Sequence, residues 1–292
     1  MSIPLQQIYD NSLREKAIKL FVLRLDLIRP LVNGNKWFKL KYNLEAARAK
    51  GKTTLLSFGG AYSNHIHALA AAGKEYGFKT IGIIRGEETL PLNNTLRFAT
   101  QCGMRLFYIS RELYRDMEKA LASVSHHLDM NDTYVIPEGG SNAEGVRGCM
   151  EMIREINIPF DHVVCACGTG ATLAGIALSL NEKQKVTGIP VLKGGEFLEQ
   201  EILAWKEHFG NPSKNFELKT EYHSGGYAKA DERLLQFISS FEELHHIPLD
   251  HVYTGKMMSA VFDLARKKYF QKGETVIAVH SGGLQAGKFN AE

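Results

Sequence analysis

Between Thr53 and Ile136 short β-rich runs alternate with longer helical ones, and this alternation limits the architectures open to the chain. Thr53–Ser57 reads as a strand, followed by Gly59-Gly60 and an Ala-rich helix from Asn64 to Tyr76 that Gly77 closes. Lys79–Ile84 precedes a helix over Leu92–Gln101, Arg105–Ile109 precedes one over Leu113–Leu128, and Tyr134–Ile136 forms a fourth strand. Strand and helix at this spacing predict parallel strands joined by crossover helices, so that the sheet is covered on both faces. A second series begins near Ala143 with a helix to about Glu155. Strand His162–Ala166, helix Thr172–Leu180, strand Val186–Val191 and a last strand Thr275–Val279 follow. The fold class is therefore α/β, with two such units in one chain and a division near residues 140–147. Leu198–Lys229 has no regular pattern.

Composition narrows the function classes. Hydrophobic residues at 44% and charged residues at 23% are ordinary for a globular protein and exclude a disordered chain or a coiled coil. A formal charge of +3 is too small and too dispersed to imply a nucleic-acid or membrane partner. Four cysteines do not make a disulfide framework, and the N-terminus lacks a basic start followed by an apolar core, so a cytoplasmic location is expected. The uncharged stretch Val163–Leu180 is broken by Gly168, Gly170 and Gly175, which fits a buried strand, a turn and a helix better than a membrane span.

In open α/β sheets ligands bind beyond the C-terminal ends of strands, where helix N-termini point. That rule selects Gly59–Asn64, Pro137–Asn142, Gly168–Thr172 and His280–Gly283. Gly168-Thr-Gly-Ala-Thr172 starts like a dinucleotide fingerprint, but Leu173 replaces its third glycine. Gly282 to Phe289 has the spacing of a nucleotide phosphate loop, with Phe289 where a magnesium-binding hydroxyl is required. What Gly168, Thr169, Gly170, Ala171 and Thr172 do offer is unobstructed backbone amides before a helix, suited to a permanently held phosphate monoester or to a bare tight turn. Lys36, flanked by aromatics just inside a helix running to Ala49, is either a solvated lysine or one desolvated enough to act as an amine nucleophile. The paired histidines His65/His67, His126/His127 and His245/His246 lack the spacing of a zinc helix and are expected mostly at the surface. Cys165 and Cys167 are expected to face opposite sides of the sheet, and no metal is expected.

Taken together the motifs are more specific. Gly34-Asn35-Lys36, Gly59-Gly-Ala-Tyr-Ser63-Asn64-His65, Glu138-Gly-Gly-Ser-Asn142, Cys167-Gly-Thr-Gly-Ala-Thr172, Tyr253-Thr254-Gly255-Lys256 and His280-Ser281-Gly-Gly283 follow in this order. The chain resembles the D-cysteine desulfhydrase and 1-aminocyclopropane-1-carboxylate (ACC) deaminase family of pyridoxal-phosphate enzymes, which have the tryptophan-synthase β-like fold type II. The resemblance implies two open, twisted, mainly parallel-sheet domains with the cofactor in the cleft between them. The smaller domain would span 39–147, and the larger, phosphate-binding one 1–38 and 148–292. Lys36 would carry the pyridoxal 5′-phosphate covalently and remove the Cα proton. Asn64 would bond the phenolic oxygen, residues 168–172 would cradle the phosphate, and Ser281 would face the pyridine nitrogen with a neutral hydroxyl. Lys39 is the internal comparison for Lys36.

By the same resemblance Ser63, Asn64 and His65 would receive the carboxylate of a small amino-acid substrate. Ser63 either assists proton transfer or only caps its helix. Tyr227 and Tyr253 match the two active-site tyrosines, the other reading being packed aromatics. ACC deaminases carry a Tyr-Glu pair where this chain has Tyr253-Thr254, so Thr254 points to elimination from D-cysteine, giving pyruvate, sulfide and ammonia. ACC deamination is the alternative, and a non-catalytic binder of the cofactor or an amino acid is the reading from another class. Tyr62 would either narrow the pocket or point away, and a homodimer is implied.

Overall fold

The computed structural model describes residues 2–284. Along the chain run β1 (Leu5–Ile8), α1 (Asn11–Glu15), β2 (Lys19–Arg24), α2 (Asn35–Ala49), β3 (Thr54–Gly60), α3 (Asn64–Tyr76), β4 (Lys79–Arg85) and α4 (Asn94–Gln101). Next come β5 (Arg105–Ile109), α5 (Met117–Ser125), β6 (Thr133–Val135), α6 (Ala143–Cys149), β7 (His162–Cys167), α7 (Ala171–Ser179) and β8 (Lys185–Pro190). The last are α8 (Leu198–His208), β9 (Phe216–Leu218), α9 (Glu232–His245), α10 (Thr254–Arg266) and β10 (Thr275–His280).

The strands form two sheets. One has four strands in the order β5-β4-β3-β6, all parallel. The other has six, in the order β1-β2-β10-β7-β8-β9, parallel except where β1 pairs antiparallel with β2 at the edge. The chain is thus an α/β protein with two open, mainly parallel sheets, as its resemblance implies.

Side-chain alternation fixes which helices cover each face. In β7, Val163, Cys165 and Cys167 join the core under α6 and α7, while Val164 and Ala166 join the core under α10. Cys165 and Cys167 therefore face the same side, contrary to expectation, because residues two apart in a strand share a face. Their thiols lie in one apolar layer, and Cys167 Sγ is 3.8 Å from the Cys165 carbonyl oxygen. The uncharged run from Val163 to Leu180 is strand, turn and helix, and no helix of the described residues is long and apolar enough to cross a membrane.

Local signals account for the best-read elements. Ser63 caps α3 by accepting the Ile66 N–H, and Gly77 ends it in the left-handed conformation at φ 76°. Two expected helices are shorter than read. Leu113–Leu128 resolves into a 3₁₀ turn at Leu113–Arg115 and α5, because Asp116 caps a fresh start by accepting the Lys119 N–H. The helix expected to reach Glu155 stops at Cys149 and passes into turns.

α2 joins the two units. Phe38 belongs to the core of the six-stranded sheet, whereas Leu40, Leu44 and Ala47 belong to that of the four-stranded one. α6 packs on α2 so closely that a Cβ on Gly148 would lie 1.7 Å from the Phe38 carbonyl oxygen. We propose that the division at 38/39 and 147/148 follows these two helices. Residues 285–289 of the phosphate-loop-like run ending at Phe289 lie outside the described residues.

Candidate active site

The C-terminal ends of both sheets and the start of α2 open onto one cleft of about 990 Å³. Lys36 stands in the first turn of α2, where Gly34 sets its approach. At φ 67° and ψ −153°, Gly34 occupies backbone space that side chains do not tolerate. It lies against the strand-end loop, and the Asn35 N–H donates to the Ser281 carbonyl at 3.1 Å. Lys36 Nζ donates to Asn35 Oδ1 at 3.0 Å, and Asn35 Nδ2 donates to Thr172 Oγ1 at 3.0 Å. One asparagine thus ties the lysine to the Gly168–Thr172 turn across 137 residues of sequence.

Burial, and then the neighbouring Lys39 ammonium, lower the Lys36 pKa to about 7. Lys39 is buried too, but its Nζ donates to the Gly139 carbonyl at 2.9 Å. The two lysines are therefore unequal: one is held by a backbone oxygen, the other has only an amide neighbour. Since the neutral amine is the nucleophile, the cofactor-free protein should react with pyridoxal phosphate at a rate that rises with pH and levels off above about 7. An ordinary lysine would keep gaining rate toward 10, and a stopped-flow profile still climbing there would contradict the burial of Lys36.

Of the residues expected to hold phosphate, Gly168, Thr169, Gly170 and Thr172 line the cleft, whereas Ala171 is fully buried as the first residue of α7. Gly170 adopts φ 77°, aiming the turn at the cleft. Ser63, Asn64 and His65 line the opposite wall at the N-terminus of α3. A Cβ on Gly283 would fall 2.3 Å from Asn64 Nδ2, so that glycine is what lets the amide approach the Ser281 loop. Ser281 lines the cleft as well. Behind it His280 is fully buried, Nε2 donating to the Pro248 carbonyl at 2.7 Å and Nδ1 lying 3.2 Å from Asp26 Oδ1.

The histidines at positions 65 and 67 are not surface residues. His65 is buried, its Nε2 2.9 Å from Ser57 Oγ, and burial together with the two lysines holds it neutral, well below the usual histidine range. His67 stacks on Phe98 with ring centres 4.0 Å apart, and burial lowers its pKa to about 4. Tyr62 is exposed but lines the cleft. Tyr253 and Tyr227 also line it. Tyr253 OH donates to Tyr227 OH at 3.2 Å, and burial followed by the Tyr227 hydroxyl keeps Tyr253 protonated far above the ordinary phenol range.

Thr254 is placed otherwise than expected. It is fully buried outside the cleft lining, its hydroxyl donating to Asp250 Oδ1 at 2.6 Å and accepting from the Asp250 N–H at 2.9 Å. Asp250 also receives the N–H groups of Val252, Tyr253 and Thr254. Thr254 therefore knits the start of α10 instead of meeting substrate, because the chain turns its side chain inward directly after Tyr253. Thr254→Val should cost about 1–2 kcal/mol by leaving Asp250 underpaired, measured by urea unfolding. Thermal stability equal to the parent's would contradict this account.

Sequence reasoning did not single out Asn35 as a tether, nor Arg85, Arg111 and Arg115 as cleft residues, whereas Glu138 lies in the Pro137–Asn142 stretch that the strand-end rule selected. The arginines were findable: Arg85 ends β4, and Arg111 lies two residues beyond β5, at the sheet ends where ligands bind. Among the described residues no cluster of three or more His, Cys, Asp or Glu could hold a metal ion.

A lysine amine poised near neutrality, a glycine-threonine turn leading into a helix and a cleft between two α/β units define a scaffold for a phosphate-bearing aldehyde cofactor. The family model described as "Pyridoxal-phosphate dependent enzyme" matches residues 4–282, and the chain belongs to that family of cofactor-dependent enzymes. Among its relatives, a Pyrococcus horikoshii protein with the provisional name 1-aminocyclopropane-1-carboxylate deaminase is 32% identical over 291 residues, covering 95% of this chain and 88% of the relative. The D-cysteine desulfhydrase of Yersinia enterocolitica is 27% identical over 289 residues, covering 92% and 87%. The crystal structure of an ACC deaminase homologue superposes with a TM-score of 0.85 at 31% identity, covering 99% of this chain and 91% of that one. The chain is thus a pyridoxal-phosphate enzyme of the lyase and deaminase type.

Proposed function

We propose that this enzyme eliminates the β-substituent of a small D-amino acid, with D-cysteine and water giving pyruvate, hydrogen sulfide and ammonia. The observation that carries this reading is the Lys36 amine, lowered to about 7 and facing the same cleft as a tyrosine that stays protonated. A lowered amine suits proton removal at one carbon, and a phenol that stays protonated suits hydrogen bonding to a group leaving the next.

When bound, pyridoxal phosphate supplies the electron-withdrawing ring that makes the Cα–H bond acidic. Lys36 would hold it and take the Cα proton. Residues 168–170 and Thr172 would hold its phosphate, Asn64 and Ser281 would bond its polar atoms, and the N-terminus of α3 at Ser63 would orient the substrate carboxylate. Tyr253, beside Tyr227, would offer its hydroxyl proton as a hydrogen bond to the departing sulfur.

Elimination is favoured over ACC ring opening because Glu138 is the single carboxylate that lines the cleft among the described residues. Assembly as a homodimer in the cytoplasm accompanies the family reading, and sedimentation velocity tests the dimer. The test of function is pyruvate release by the cofactor-loaded protein with D-cysteine, L-cysteine and ACC side by side. Release from D-cysteine alone is expected. Release from ACC would replace the proposal by deamination, and substrate-perturbed absorption without any release would replace it by a non-catalytic binder.

A further inference from the structure

The cleft carries more positive charge than the elimination of D-cysteine uses. Lys36, Lys39, Arg85, Arg111 and Arg115 line it against a single carboxylate, Glu138. Lys36 and Lys39 are spoken for by the chemistry and by the Gly139 carbonyl. The three arginines stand at the other end, on the four-stranded sheet: at the end of β4, just beyond β5, and in the 3₁₀ turn before α5. The phosphate cradle belongs to the six-stranded sheet, at the end of β7. Cofactor phosphate and arginines are thus served by different walls.

Among the described residues no carboxylate ion-pairs with any of the three guanidinium groups. Arg85 lies 5.6 Å from the Tyr114 ring centre. A Cβ on Gly60 would stand 3.5 Å from Arg85 Nη2, which sets this guanidinium beside the turn that leads to Ser63. A Cβ on Gly86 would stand 3.9 Å from Arg111 Nε. Guanidinium groups without counter-ions at the edge of a concave site select carboxylate-like oxyanions, which they bind in planar pairs.

We infer that Arg85, Arg111 and Arg115 form a binding site for a second negative charge on the substrate, carried by its β-substituent. The substrate class then extends to amino acids whose leaving group is itself anionic. The inference rests on the elimination chemistry proposed above. With an O-acyl serine, Lys36 takes the Cα proton and the Cβ–O bond breaks with its electron pair going to the acyl carboxylate. Water then completes conversion of the remainder to pyruvate and ammonia.

The test compares O-succinyl-DL-serine with O-acetyl-DL-serine on the cofactor-loaded enzyme, since both lose a carboxylate and only the first carries a distal one. We expect kcat/KM for the succinyl ester to exceed that for the acetyl ester by about tenfold or more. In an Arg85→Gln, Arg111→Gln, Arg115→Gln variant with unchanged melting temperature, the ratio falls to about one. Equal values in the parent enzyme, with pyruvate formed from both, would overturn the arginine site and leave the elimination reading intact. If neither ester yields pyruvate, release from D-cysteine still decides the elimination reading, and calorimetry decides the site without turnover. Tighter binding of DL-2-aminoadipate than of DL-norleucine, lost in the triple variant, supports the arginines, and equal binding overturns them.

Discussion

Lys36→Ala should lower turnover by roughly four orders of magnitude, because one amine both holds the cofactor and moves the Cα proton. The visible absorption of bound cofactor should vanish with it. Loss of fold is not the expected cause. Lys36 is a partly buried amine whose pKa burial has already lowered, so its removal relieves a desolvation cost. The melting temperature of the cofactor-free variant should match or exceed that of the cofactor-free parent. Lys39→Ala provides the contrast: it leaves the Gly139 carbonyl without its donor and keeps the Lys36 absorption. A Lys36→Ala protein that retained the band and a tenth of the activity would remove Lys36 from the mechanism.

The second large effect concerns a glycine. Gly34→Ala should destabilise the protein by roughly 3 kcal/mol or more and empty the cleft of cofactor. Two costs combine. The conformation at φ 67° and ψ −153° is open only to glycine, and an added Cβ would fall 1.9 Å from the Ser281 carbonyl oxygen and 2.9 Å from Gly282 Cα. Relief requires α2 to back away from the strand-end loop. That breaks the Asn35 N–H to Ser281 contact, pulls Asn35 from Thr172 and moves Lys36, which Asn35 holds. Urea unfolding reads the first effect and cofactor absorption the second. A loss under about 1 kcal/mol with full cofactor content would show that the loop yields without cost.

What the sequence made legible follows from how far each signal reaches. Ser63 and Gly77 mark the ends of α3 through bonds made within a turn, so those boundaries were readable from neighbouring residues. Strands β3 to β5 repeat with their crossover helices, and the repetition announced the parallel sheet. By contrast β1 and β2 belong to the six-stranded sheet because Lys19–Arg24 pairs with Thr275–His280 at the far end of the chain. No local pattern carries that pairing. α10 carries Lys256, Ser259, Asp263 and Arg266 at helical spacing, yet Lys256 is buried with its amine on the Val191 and Gly226 carbonyls, a burial that only the fold reveals.

The site divides in the same way. Lys36, Ser63, Asn64, His65, Tyr227, Tyr253 and Ser281 were named from motifs and converge on one cleft. Thr254 was named from its place beside Tyr253, but adjacency in sequence does not fix direction, and Asp250 draws its hydroxyl inward. Asn35 stood in full view next to Lys36, yet its tie to Thr172 exists only once two distant helix starts meet. Arg85 and Arg111 lay at readable strand ends, but only the fold shows that this end opens onto the cleft of Lys36.

The central claim is that Lys36, and not its neighbour on the same helix, carries the chemistry. The most direct test loads the protein with pyridoxal phosphate, reduces it with borohydride and maps the modified peptide by mass spectrometry. The account predicts a single adduct on Lys36, with Lys39 and Lys256 unmodified. An adduct on either of those lysines in place of Lys36 would contradict it.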